Sequence, residues 1–132
     1  MRLTKAEAKR LIVVKDLHMT PAYNKYGNKK TVVDGITFDS IAESIYYQNL
    51  KILVSTGFVK YFLRQVQFDL PGGVKYKCDF KVAWKGGAIE YVDVKGHVTA
   101  MFKLKKKQVE AIYPIKIKCV KRVGKSKSFE EI

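Results

Sequence analysis

The stretch EYVDVKGH, residues 90–97, places an acid and a base two positions apart. Side chains two apart on a β-strand project to the same face, so Asp93 and Lys95 would lie side by side. A carboxylate beside an ammonium group suits metal-assisted chemistry, in which the lysine orients a water molecule or stabilises charge on a phosphate. Asp-Val-Lys is a common tripeptide, however, and by itself it does not distinguish a catalytic site from an ordinary charged strand.

The preceding strand-like stretch supplies a partner for Asp93. VKYKCDFKVAW alternates apolar and charged residues, and a lysine and two glycines join it to AIEYVDVKG. A loop centred on Gly86 pairs Phe80 with Val92 and Asp79 with Asp93. A tight two-glycine turn would instead pair Phe80 with Asp93 and mix charge into the apolar face. We therefore predict the first register, which places two carboxylates opposite each other.

Two facing carboxylates, about 5 Å apart on adjacent strands, destabilise a sheet unless a positive charge lies between them. Hard oxygen ligands suit Mg²⁺ or Mn²⁺, and magnesium sites commonly combine one or two carboxylates with water and substrate phosphates. Asp79 and Asp93 are therefore candidate ligands of such an ion, with Lys95 one pleat along the same face. The alternative is a surface ladder in which Lys77 and Lys81 neutralise Asp79.

Two further polar residues lie on the elements that precede these strands. Ser40 and Glu43 have the spacing of a capping box, which opens a helix that ends near Gly57. Glu43 thus has two interpretations, as a residue that only holds the helix start or as a contributor to the site. In the next strand, FLRQVQFDL, the alternation places Gln65 on the solvated face.

The remaining segments complete an α/β pattern. TVVDGITF carries the Asp-Gly signal of a hairpin over 31–38. A helix is predicted from about Thr99 to Ile112, and its core side consists of Phe102, Val109 and Ile112. IKIKCV is a last strand. We expect a single domain over residues 1–132, with an αβββαβ core over about 38–122 and a mixed central sheet flanked by helices. An N-terminal helix over about 5–14, a basic loop and the hairpin occupy 1–37, and 124–132 is a loose tail.

The 132-residue chain is strongly basic, with 26 Lys and Arg against 12 Asp and Glu and a net charge of +14. Such an excess favours a polyanionic partner, most often nucleic acid, because neutralisation of phosphates drives this kind of binding. Lysines cluster before the hairpin and on the last helix, where they can bind backbone phosphates without reading sequence. The alternative for such charge runs is a solvated surface. The predicted nucleic-acid-binding residues are Lys29, Lys30, Lys77, Lys103, Lys105, Lys106 and Lys107.

Several other classes of protein are disfavoured. No apolar run approaches the ~20 residues of a membrane-spanning helix, and the N-terminal stretch lacks the apolar region of a signal peptide. We therefore expect a cytoplasmic protein without a membrane partner. Cys78 and Cys119 lie far apart without the spacing of a zinc site, and we expect both to be buried thiols.

The order of these residues resembles that of the PD-(D/E)XK nuclease superfamily. Glu43 on a helix, Asp79 on a strand and Asp93-Val94-Lys95 on a later strand, followed by a helix and a strand, match its core motif. More narrowly, YGNKKTVVDGITFDSIAESIYYQNL, RQVQFDL, VDVKG and FKLKKK are similar to a small phage-encoded family of predicted endonucleases, over about residues 26–118. The resemblance implies a restriction-endonuclease-like core and, for a phage protein, the cytoplasm of the host cell.

The resemblance also implies a role for each site residue. Lys95 would be the catalytic lysine, and Gln65 would contact the water molecule or the phosphate. The implied metal ligands for Mg²⁺ or Mn²⁺ are Asp79, Asp93, the Val94 carbonyl and Glu43, the last directly or through water. Cys78 departs from the pattern because it stands where the superfamily motif has proline.

The predicted function is that of a metal-dependent DNA endonuclease that hydrolyses phosphodiester bonds. Two substrates are open: branched DNA, as for Holliday junction resolvases of the superfamily, and DNA with low sequence specificity. A resolvase cuts two strands symmetrically and needs a homodimer, for which the N-terminal helix and the 31–38 hairpin are candidate elements. The alternative is a non-catalytic DNA-binding or recombination accessory protein, which accounts for the charge but not for Asp79 facing Asp93.

Overall fold

A computed structural model describes residues 20–23 and 29–132 of the chain. The N-terminal helix predicted over about 5–14 lies outside these residues. Within the described part of the chain, no helix is long and apolar enough to cross a membrane. The elements are, in order, β1 (Thr20–Tyr23), β2 (Lys29–Val33), β3 (Ile36–Phe38), α1 (Ile41–Ser55), β4 (Val59–Leu70), a 3₁₀ turn (Pro71–Gly73), β5 (Val74–Trp84), β6 (Ile89–Val94), α2 (Ala100–Ile112), β7 (Ile117–Arg122) and β8 (Phe129–Glu131).

The predicted hairpin is the β2–β3 pair of a small three-stranded antiparallel sheet. Its turn residues Asp34 and Gly35 have φ angles of 53° and 74°, which is the left-handed geometry of a tight hairpin turn. Strand β1 was predicted as loop and instead pairs with β2, with Thr20 opposite Val32. Main-chain pairing to a neighbouring strand outweighs the polar, turn-rich sequence at this position.

Helix α1 begins and ends where the capping pattern predicts. The Ser40 hydroxyl accepts a hydrogen bond from the Glu43 N–H at 3.0 Å, so the capping interpretation of Ser40 is confirmed. The helix ends at Ser55, before Gly57, whose φ of 85° is left-handed. The helix is anchored to the hairpin because Asp34 accepts hydrogen bonds from Tyr47 at 2.9 Å and Lys51 at 2.6 Å.

The larger sheet has five strands in the order β4-β5-β6-β7-β8. Strand β6 runs parallel to β7, and the other neighbours are antiparallel. The order α1, β4, β5, β6, α2, β7 is the predicted α, β, β, β, α, β sequence of elements. The fold is therefore α/β, with a mixed five-stranded sheet and two helices.

Two hydrophobic clusters pack against this sheet, one around each helix. In β6 they follow the expected alternation, because Val92 belongs to the cluster around α1 while its neighbour Tyr91 packs against the cluster around α2. The α1 cluster includes Tyr46, Leu50, Phe80, Val82 and Val92. The α2 cluster includes Phe68, Tyr76, Cys78, Phe102 and Val109.

Strand β5 changes face midway along its length. Cys78 belongs to the α2 cluster and Phe80 to the α1 cluster, although residues two apart on a regular strand share a face. The predicted burial of both side chains is confirmed, since each is 0% exposed. The predicted single apolar face that would join them is wrong.

The change of face coincides with a left-handed residue in the neighbouring strand. Gln65 has a φ of 52° and lies between the Arg64–Phe80 and Val66–Cys78 pairs of the β4–β5 ladder. A non-glycine residue in this region is uncommon and costs backbone energy. Gln65 and Asp79, which stands opposite it, thus mark the position at which the strands change face, and we call this position the bend.

Helix α2 follows its prediction except on one side chain. The Thr99 hydroxyl caps the helix by accepting the Phe102 N–H at 3.1 Å, and Phe102 and Val109 are buried. Ile112, which was expected on the core side, is 51% exposed, because the helix ends there and the chain turns away towards β7. Cys78 and Cys119 are buried thiols, as predicted.

The C-terminal segment is not a loose tail. Phe129–Glu131 forms strand β8, which pairs with Val120–Arg122 of β7. The Phe129 ring packs edge-on against Tyr46, with ring centroids 5.0 Å apart. This aromatic contact with α1 stabilises the position of the segment. The prediction of a loose tail was wrong because it rested on the basic and small residues that surround Phe129.

Comparing glycine with alanine at position 65 tests the backbone strain there. Both substitutions remove the side chain, but only glycine adopts a left-handed φ without cost, so we expect Gln65→Gly to be more stable than Gln65→Ala by about 1 kcal/mol. At Gln67, which has no positive φ, the order should reverse by roughly 0.5–1 kcal/mol. Urea unfolding of the four variants measures both differences, and the same order at both positions would contradict a left-handed Gln65.

Candidate functional site

The predicted register of β5 and β6 is confirmed. The ladder pairs Ala83 with Ile89 and continues to Phe80 opposite Val92, which places Asp79 opposite Asp93 in the next position. Beyond the Phe80–Val92 pair, side-chain hydrogen bonds replace the main-chain hydrogen bonds of the ladder. Oδ1 of Asp93 accepts the Asp79 N–H at 3.1 Å, and Oδ2 of Asp79 accepts the Val94 N–H at 3.0 Å. Each carboxylate is thus held by the main chain of the opposite strand.

Asp93 is the most deeply buried acid of this site. Its side chain is 0% exposed, and its Oδ2 atom is buried without a hydrogen-bond partner in the structure. Burial raises the pKa of its carboxyl to about 6, against the lowering effects of the Lys95 charge and the Asp79 N–H. The unpartnered Oδ2 leaves one oxygen of this buried acid available to a cation.

Glu43 reaches the same site from the first turn of α1. The Gln65 side-chain amide donates to Glu43 Oε1 at 3.2 Å and to Asp79 Oδ1 at 3.4 Å, and so connects the two acids. Burial raises the pKa of the Glu43 carboxyl far above its usual range, and the nearby Asp79 charge raises it further. Glu43 is thus both part of the helix start and part of the site, so its two interpretations are compatible.

Lys95 lies directly after β6, on the side of Asp93. Its ammonium group is 4.8 Å from the centroid of the Phe102 ring on α2, an arrangement in which the ring face attracts the cation. Its N–H donates to the Val120 carbonyl at 2.9 Å, which continues the main-chain bonding of β6 to β7. The lysine is therefore anchored at its main chain and at its tip, beside the buried acid.

The donors at this site suit Mg²⁺ with few protein ligands. Within the described residues, no three His, Cys, Asp or Glu side chains are close enough together to hold a metal ion. Asp79 and Asp93 still supply two carboxylates, and magnesium commonly binds one or two while keeping several waters. The unpartnered Oδ2 of Asp93 is where a cation would compensate a buried charge. Direct coordination by Glu43 and by the Val94 carbonyl stays a prediction.

Arg64 is a neighbour of the site that the sequence patterns did not single out. Its guanidinium lies 4.5 Å from the Phe38 ring centroid, and its Nε atom is buried without a hydrogen-bond partner. Its charge also lowers the pKa of Glu43. The sequence shows only that an arginine precedes Gln65 within the strand. The alternation of this strand did not predict that Arg64 would lie near Glu43.

The predicted phosphate-binding lysines fall into different environments. On α2, Lys103 and Lys107 are exposed, whereas Lys106 makes an ion pair with Glu110 at 3.0 Å. Lys105 is half-buried and points its ammonium group towards the Lys75 carbonyl, 3.5 Å away. Lys77 on β5 is exposed and Lys30 on β2 is half-buried, while the side chain of Lys29 lies outside the described part of the chain.

Glu90 is close in sequence to Asp93 but lies outside the site. Its carboxylate accepts a hydrogen bond from Trp84 Nε1 at 2.9 Å and lies 3.5 Å from the Lys118 ammonium group. Glu90 thus lies on the side of β6 that Val92 occupies, since Trp84 and Val92 belong to the same hydrophobic cluster.

The chain belongs to the family described as protein of unknown function (DUF1064), whose model matches residues 23–128. This range includes Glu43, Gln65, Asp79, Asp93 and Lys95. No curated protein matches the chain.

The raised pKa of Asp93 predicts how the stability of the metal-free protein depends on pH. A raised pKa means that folding favours the protonated carboxyl, and this stabilisation is complete below about 3.8 and is lost as pH rises through about 6. Asp93→Asn has no such dependence. We therefore expect its free energy of unfolding to gain roughly 3 kcal/mol relative to wild type between pH 3.5 and pH 7.

Urea unfolding in EDTA across this pH range measures the difference. Asp69→Asn, which removes an exposed carboxylate from β4, is the matched control for the loss of one negative charge. A stability difference for Asp93→Asn that does not change with pH would show that burial does not control this carboxyl.

Proposed function

We propose that this member of the DUF1064 family is a metal-dependent endonuclease that hydrolyses phosphodiester bonds in DNA. The observation that carries the proposal is the convergence of Asp79 and Asp93 at the point where side chains replace the β5–β6 ladder. Glu43 and Gln65 join them from two other elements. A basic protein that buries an acid beside a lysine is poorly explained by DNA binding alone, because phosphate binding requires no acids.

The metal and the protein contribute different parts of the proposed chemistry. When bound, Mg²⁺ or Mn²⁺ neutralises charge on the phosphate and lowers the pKa of a coordinated water molecule. Asp93 and Asp79 are the proposed carboxylate ligands, and their bonds to main-chain N–H groups fix both side chains before substrate binds. This preorganisation is what makes electrostatic stabilisation effective in an active site.

Lys95, Glu43 and Gln65 act on water and phosphate in this proposal. The Lys95 ammonium group, beside Asp93 and over the Phe102 ring, donates to the phosphate oxygen on which charge develops or orients the attacking water. Glu43, whose pKa is raised by burial and by Asp79, is suited to hold a proton near neutral pH and to accept or release it during hydrolysis. Gln65 donates hydrogen bonds to the Glu43 and Asp79 carboxylates and so fixes their relative positions. The water attacks phosphorus in line with the departing 3′ oxygen.

The order of elements supports a restriction-endonuclease-like core as part of the same proposal. Helix α1 and strand β4 supply Glu43 and Gln65, β5 supplies Asp79, and β6 supplies Asp93 and Lys95. For the substrate, a four-way junction and DNA without special structure are the two forms to compare, since a junction resolvase would have to act as a homodimer.

A nuclease assay on plasmid, single-stranded DNA and a four-way junction tests the proposal. We expect cleavage by wild type with Mg²⁺ or Mn²⁺ and none in EDTA. Asp93→Asn should lose about 100-fold or more in rate, because it removes a charged group that acts in the transition state. Asp69→Asn, on the exposed edge strand, should keep wild-type activity.

Binding and cleavage are measured separately to make the result decisive. Binding of all three DNA substrates by wild type without metal-dependent cleavage would overturn the endonuclease and leave a non-catalytic DNA-binding protein. Symmetric cuts confined to the junction, together with a dimer in sedimentation, would identify branched DNA as the substrate and the protein as a junction resolvase.

A further inference from the structure

One half of the five-stranded sheet carries an open face beside the site. The register of β4, β5 and β6 aligns Leu63, Lys81 and Tyr91 in one row across the three strands. The next row consists of Tyr61, Ala83 and Ile89. Cross-strand neighbours share a face, so these six side chains form one surface, which we call the open face.

The open face exposes large apolar groups. Tyr61 is 46% exposed, Leu63 is 50% exposed and Ile89 is 46% exposed. Helix α2 covers the other half of this side of the sheet, where Phe102 packs in one cluster with Phe68. Among residues 20–23 and 29–132, which the structure describes, no element covers these adjacent apolar groups. Exposed apolar patches of this kind mark interaction sites, and the charges around this one indicate which partner fits.

Lysines surround these apolar groups. Lys81 lies at the centre of the open face, with its ammonium group 6.0 Å from the centroid of the Tyr91 ring. A cleft of about 550 Å³ borders it, and its lining includes Lys81, Tyr91 and Lys116. Two acids also line the cleft, Glu131 and Glu90, and Glu90 pairs with the lining residue Lys118 at 3.5 Å, so Lys81 and Lys116 are the lysines available to a ligand. A second copy of a chain with a net charge of +14 would bring the same lysines against these, so charge favours a polyanion over self-association.

The open face leads directly to the proposed active site. Lys81 and Tyr91 each lie two residues along their strands from Asp79 and Asp93, which is about 7 Å at the rise of a β-strand. A strand that occupies the site can therefore continue across Lys81.

We propose that the open face binds a single-stranded segment of nucleic acid, with bases against Tyr61 and Leu63 and phosphates on Lys81 and Lys116. Aromatic and apolar side chains gain from contact with bases only when those bases are unstacked, as in single strands, whereas a duplex presents phosphates and groove edges. Together with the proposed nuclease activity, on which this extension rests, the open face favours substrates that have a single-stranded portion next to the scissile bond.

Fluorescence anisotropy in EDTA tests the open face without any cleavage. The probes are a labelled 12-nucleotide oligothymidine and a duplex of the same length. We expect Tyr61→Ala to weaken binding of the single strand about fivefold or more, the loss typical of one stacking side chain, with little effect on the duplex. Tyr61→Phe keeps the ring and should bind as wild type. Val54→Ala on α1, another partly exposed apolar position, is the matched control.

Lys81→Gln gives an independent readout. If Lys81 contacts one phosphate, the slope of log K against log salt for the single strand should become less steep by about 0.7. A Tyr61→Ala protein that binds the single strand like wild type overturns the proposal, as does an equal loss for single strand and duplex. A wild-type dimer that Tyr61→Ala converts to monomer would assign the face to a second copy instead. These measurements need no metal, so a negative binding result would reject the open face without rejecting the nuclease activity. A negative cleavage assay would likewise reject the nuclease activity without rejecting single-strand binding.

Discussion

The hydrogen bonds of Asp79 and Asp93 to the opposite main chain hold β5 and β6 together where regular pairing stops. A sheet normally satisfies these N–H groups with carbonyls, and a buried N–H without a partner would cost free energy comparable to a lost hydrogen bond. Here the Asp79 and Asp93 carboxylates accept these hydrogen bonds, so both acids also contribute to the pairing of β5 with β6. The geometry of the site is therefore set by the same bonds that keep two central strands together.

This arrangement also explains why the two hydrophobic clusters meet at the site. Strand β5 contributes Phe80 to the cluster around α1 and Cys78 to the cluster around α2, and Asp79 stands between them. Because of the bend, one strand contributes buried side chains to the hydrophobic clusters on both faces of the sheet. At this position Asp79 is half-buried, while Asp93 on the next strand is wholly buried.

Alternation and capping signals were sufficient for most of the fold. The β5–β6 register followed from keeping Phe80 opposite a valine, because a one-residue slip reverses every side chain. The same regularity failed at Gln65, since a left-handed φ at a glutamine has no local sequence signal. It failed again at Phe129, whose packing on Tyr46 depends on residues more than 80 positions away. The site was predictable as a facing pair of acids, but the approach of Arg64 to Glu43 depends on the bend and was not.

The left-handed residue also has a consequence for association between chains. Strand β4 is twelve residues long and forms an edge of the five-stranded sheet, and long regular edges are templates for unwanted pairing with other chains. At Gln65, between the Arg64–Phe80 and Val66–Cys78 pairs, a left-handed residue interrupts the regular backbone of this edge, which leaves two shorter regular segments. The residue that bends the strand at the site thus also gives this edge an irregularity of the kind that disfavours edge-to-edge pairing.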